Sequence, residues 1–80
     1  MLDQDTNEKI ISLRRTAAEY FQKAAWNQLL ALDNYRENNY VAADRFAQLS
    51  FDDQMNAVEF AELADAESEL LIDLRMVEQN

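Results

Sequence analysis

The sequence predicts an all-α protein: a long antiparallel helical hairpin with a short middle helix, dimerising into a helical bundle. Three observations carry this. The 80 residues contain no glycine and no proline, where average usage of the two together is about 12%. A β-rich fold needs several tight turns, and the residues that make them best are missing. Apolar residues recur at spacings of three and four in both halves of the chain, the period of an amphipathic helix. Between the halves, "RENNY" carries Asn38 and Asn39, the best available left-handed stop residues in a chain without glycine.

Taken in order, the first helix is expected over about 6–37. Asp5 with Glu8 three residues on has the form of a capping box. Ile10, Leu13, Ala17, Phe21, Ala24, Ala25, Leu32 and Tyr35 then fall on one broad face. Arg14 and Gln28 interrupt that face, either to fix register between helices or to reach past it to solvent.

The second half divides by phase. Ala43, Ala47 and Phe51 lie on one side of a continuous helix, and Phe60, Leu63, Leu70, Leu74 and Val77 on nearly the opposite side. One straight helix facing one partner cannot bury both sets, which predicts a break with Ser50 as N-cap and Asp53 at the third helical position. The expected helices are 6–37, 40–49 and 51–78 in a single domain, 1–80. The stretch from Trp26 to Phe46 has residue types found in tetratricopeptide repeats. It lacks the glycine at the tight packing position and has no second copy, so it reads as a generic αα-hairpin.

Charge is distributed unevenly. Residues 1–50 hold seven acids and six bases; residues 51–80 hold nine acids and one base, Arg75. Of the net −9, −8 therefore belongs to the last thirty residues. Glu62, Asp65, Glu69 and Asp73 fall within about 80° of one another on a helix. This pattern has two readings, a solvated face that maintains solubility and a docking face for a basic protein. The same charge argues against direct binding to nucleic acid, whose phosphates repel it. A second feature is Trp26 with Leu30, an apolar pair on the side of Glu19, expected to lie under the middle helix or to anchor a partner.

Several chemistries are excluded by residue type. Without histidine or cysteine there is no thiolate or imidazole nucleophile, no zinc site and no Glu-x-x-His di-metal bundle site. Neither a glycine-rich phosphate loop nor a G-x-S-x-G elbow is present. The expectation is no catalytic residue, no metal, no cofactor and no enzyme. "MLDQDTNEKI" has the wrong charge and no apolar run for a secretory signal, and no stretch reaches transmembrane length. A cytoplasmic protein without a membrane partner is expected. The apolar side chains exceed what one thin hairpin can hide, which predicts association, most simply a homodimer. The function expected is a non-enzymatic protein–protein interaction module. The alternatives are an acidic inhibitor, such as a phage-type antagonist, occupying the basic nucleic-acid groove of its target, or a structural subunit of a larger assembly.

Overall fold

The structure, a computed structural model, describes residues 2–79. It holds two helices and, among those residues, no strand: α1 over Leu2–Arg36 and α2 over Tyr40–Gln79. They pack along their length as an antiparallel hairpin of 62 × 15 × 13 Å. The radius of gyration is 18.1 Å, against about 12 Å for a compact globule of this length. The molecule is a rod one helix thick.

The turn follows from the absence of glycine. Asn38 takes a left-handed conformation, φ 62°, which Asn tolerates better than most residues because its short amide can hydrogen-bond locally. The Asn38 amide donates to the Tyr35 carbonyl at 3.1 Å, and the Asn39 amide to the Asn34 carbonyl at 2.8 Å. Those two bonds are a Schellman cap, which satisfies carbonyls that the end of α1 leaves open. Asn39 then starts α2, its carbonyl accepting from the Ala43 amide at 2.9 Å. Above the turn, the Tyr40 hydroxyl donates to Asn38 Oδ1 at 3.0 Å, and its ring lies 6.3 Å from that of Tyr35.

Two expected boundaries are corrected. α1 is already helical at Leu2, so Asp5 and Glu8 lie inside it and form no capping box. The short middle helix does not exist: α2 runs unbroken through Ser50. Ser50 caps nothing. It is buried, and its hydroxyl donates to the Ala24 main-chain carbonyl of α1 at 2.7 Å.

That contact identifies the core. The buried residues are Ala17, Ala24 and Ala31 on α1, with Ala43, Ser50, Ala57, Ala64 and Leu71 on α2. Both sets repeat every seven residues, the spacing of a two-helix seam. Small side chains let the helix axes come close, so a hydroxyl of one helix reaches the backbone of the other. From Ala24 opposite Ser50, steps of seven in opposite directions set Ala31 against Ala43 and Ala17 against Ala57. Larger half-buried residues fill the layers between. Tyr20 stacks on Phe60 with ring centroids 5.8 Å apart, and Asn27 Nδ2 donates to Asp53 Oδ2 at 2.9 Å.

The seam also explains why the phase argument fails. Phe51 lies to one side of it, and Leu63 and Leu70 to the other. The apolar sets are two flanks of one continuous helix with the alanines between them. Leu74 and Val77 lie outside the described side chains.

Candidate interaction surface

On each helix, positions one and four residues after a seam residue lie side by side, at about 100° and 40° from it. Antiparallel packing puts these positions of both helices on the same flank of the hairpin, and two contacts tie the helices together there. Arg14 Nη2 meets Asp65 Oδ1 at 2.9 Å, and the Tyr35 hydroxyl donates to Asp44 Oδ1 at 2.7 Å. Between those pairs the flank is mostly apolar, interrupted by the exposed Gln28 of α1 and Gln54 of α2. From α1 it takes Ile11, Ala18, Phe21, Ala25 and Leu32. From α2 it takes Ala47, Phe51, Val58 and Ala61, with Ile72 beyond Asp65. Ile11, Phe21, Leu32, Phe51 and Ile72 are between 43% and 55% exposed, so each is only partly covered by its own chain. The broad face expected on α1 therefore divides: Ala17 and Ala24 are buried, while Phe21, Ala25, Leu32 and Tyr35 are exposed. The hydrogen bond to Asp44, some desolvation and the Asp44 charge raise the pKa of Tyr35 above its usual 10.0.

The opposite flank and the outer side are more polar. Leu49, Leu63 and Leu70 are exposed there, but Lys9, Lys23 and Asn56 share the flank with them. Lys9 pairs with Glu67 at 2.8 Å, and the Lys23 ammonium stands 5.1 Å from the centre of the Tyr20 ring. Trp26 is 63% exposed on the outer side of α1, and Leu30 is half-buried. With no middle helix over it, the indole stays largely exposed. It borders an open groove of about 410 Å³ with Glu19, Gln22, Lys23 and Asn27.

The structure leaves Glu62, Asp65, Glu69 and Asp73 all exposed on α2. It does not treat them alike. Glu62, Glu69 and Asp73 are on the outer side, while Asp65 sits at the margin of the apolar flank in its ion pair with Arg14. Arg14 thus reaches across to the other helix, and Gln28 is exposed. The sequence reading missed the apolar flank as a feature. The signal for it was the seven-residue repeat of small side chains, which locates the seam and so the residues beside it.

Among the described residues no three carboxylates converge at metal-binding spacing, no buried side-chain polar atom lacks a partner, and no helix is long and apolar enough to cross a membrane. Set against known protein families, curated proteins and solved structures, the chain matches none of them.

Proposed function

We propose that the protein is a non-enzymatic interaction module that works by binding other protein along its apolar surface. One observation carries this reading. Among the described residues no side chain larger than serine is fully buried, while fifteen large hydrophobic ones are exposed. Six alanines, a serine and a leucine make a seam but not a core, and large exposed apolar patches mark interaction sites. Association supplies the missing burial, with a homodimer as the simplest form.

The test is the dependence of thermal unfolding on concentration. A protein stabilised by association melts higher as concentration rises, and light scattering should give twice the 9.3 kDa chain mass. A concentration-independent melt at monomer mass would refute the reading.

A second reading is favoured by the separation of charge from apolar surface. Glu62, Glu69 and Asp73 face away from the apolar flank, so an associated form still presents them to a basic groove, as an acidic antagonist of a nucleic-acid-binding protein does. The variant Glu62→Gln, Asp65→Asn, Glu69→Gln, Asp73→Asn removes four charges at nearly constant shape. Its binding to a basic target should be weaker and less salt-dependent than the parent's. Equal binding at two ionic strengths would return these acids to a role in solvation.

A further inference from the structure

We propose that the flank bearing Phe21 and Leu32 of α1 with Phe51 and Val58 of α2 is the contact with a second copy of this chain, the two hairpins forming a four-helix bundle about a two-fold axis. This rests on the association reading above and assigns its surface and its occupant.

Area sets the scale. The chain exposes 6191 Å², whereas a compact protein of its mass exposes about 5,000 Å². The excess of about 1,200 Å² exceeds the roughly 800 Å² per partner of a standard stable interface. From Ile11 to Tyr35 the flank runs about 36 Å along α1 and is two helices, about 20 Å, across. It therefore offers about 700 Å² even in flat projection, close to what such an interface takes.

Charge favours a second copy on this flank over the outer side of α2, where Glu62, Glu69 and Asp73 lie. The opposite flank, with Lys9 paired to Glu67 and with Lys23 and Asp53, is no more negative but carries one more charged group. Two chains of net −9 repel, so they meet most readily where least of that charge lies. Between Ile11 and Ile72 the charged residues of the flank are Arg14, Asp44 and Asp65, and its uncharged polar ones are Gln28, Gln54 and Ser68. Arg14 and Asp65 neutralise each other, and Asp44 is engaged by Tyr35. A basic partner would gain little here and much on the outer side of α2.

Shape favours self-association as well. The flank alternates bulky residues with alanines on the period of the seam: Phe21 lies between Ala18 and Ala25, and Phe51 follows Ala47. One surface thus holds both knobs and hollows at matching spacing. Two-fold pairing sets the knobs of each copy into the hollows of the other, the requirement of an isologous contact.

Sedimentation of the full chain supplies the test, with two pairs of substitutions. Phe21→Glu with Phe51→Glu places charge on the proposed contact and should raise the dimer dissociation constant by about 100-fold or more, as loss of central anchors does. Leu49→Glu with Leu63→Glu places it on the opposite flank and should change the constant by less than about threefold, as for a site outside the contact. Because a monomer released by substitution can unfold, the unaltered protein gives an independent readout. Trp26 is the chain's single tryptophan and lies off the proposed contact, so its emission and its quenching by acrylamide should not change with association. Shielding of Trp26 on dimerisation, or a dimer sensitive to Leu49 and Leu63 but not to Phe21 and Phe51, would overturn the assignment while leaving association intact. A dimer unmoved by either pair would overturn it too. A cooperatively folded single chain at all concentrations would overturn both readings.

Discussion

Ala57→Leu tests whether the small-residue seam holds the two helices together. Ala57 is fully buried and stands opposite Ala17 in the register fixed by the Ser50–Ala24 hydrogen bond. Leucine adds three carbons where there is no room for them. Burying those carbons is worth about 0.8 kcal/mol each at best, but forcing them into a packed site typically leaves a net loss of about 1–3 kcal/mol. If the helices part to admit the side chain, the 2.7 Å Ser50 bond one repeat away lengthens, costing about 1 kcal/mol more. A chain of this length has about 4–12 kcal/mol in all, so the loss is large. The control is Leu63→Ala. Leu63 is 48% exposed, so truncation should cost only about 1 kcal/mol, a fraction of the full transfer value. Urea unfolding followed by circular dichroism, at one fixed protein concentration, gives both numbers. An account by hydrophobicity alone predicts the opposite order. If Ala57→Leu is as stable as the parent or more stable, close helix approach at this layer is not what the fold requires.

Three further outcomes follow from the geometry. Ser50→Ala should cost no more than about 1 kcal/mol: one hydrogen bond is lost, alanine's helix propensity offsets part of it, and no helix end is uncapped. A loss above about 2 kcal/mol in urea unfolding would show that the hydroxyl has a larger role. Asn38→Ala should destabilise by about 1–2 kcal/mol, the cost of a Cβ in the left-handed region, and Asn38→Gly by less; equal losses in the two variants would place the cost in the contact with Tyr40 instead. Tyr35 should ionise above the usual tyrosine pH in an ultraviolet titration, with Asp44→Asn lowering its midpoint. Because folding raises this pKa, its contribution to stability is complete below pH 10 and is lost as pH climbs through the folded-state value. A midpoint unmoved by Asp44→Asn would remove that hydrogen bond as the cause.

Helicity, the hairpin and its turn were legible in the sequence because they depend on local chemistry. Only Asn38 and Asn39 could end a helix here, and Asn38 takes the left-handed conformation. The break at Ser50 was misread because large apolar residues were used to find the buried side. In this chain they mark the flanks, and alanine marks the seam. Alanine gives little hydrophobic signal of its own, so only its seven-residue repeat reveals the contact. Ser50 compounded the error, since the residue type that best caps a helix here fills an alanine-sized space within one. The candidate surface was partly legible. The exposure of Trp26 and of the four acids fits their polar surroundings in sequence. The pairing of Asp65 with Arg14 was not, because it joins residues 51 apart and depends on register.

The turn at Asn38 also dictates an order of events. Tyr35 and Asp44 are nine residues apart, Lys9 and Glu67 fifty-eight. Closing the longer loop directly from the open chain costs about 1.7 kcal/mol more than closing the shorter. If the turn forms first, each later layer closes only a small additional loop, so assembly proceeds as a zipper from Asn38 toward the two ends. Opening runs in reverse. Amide exchange should then be slowest in the layers around Ala31 and Ala43 and faster toward Lys9 and Glu67, a gradient of local stability along one continuous pair of helices.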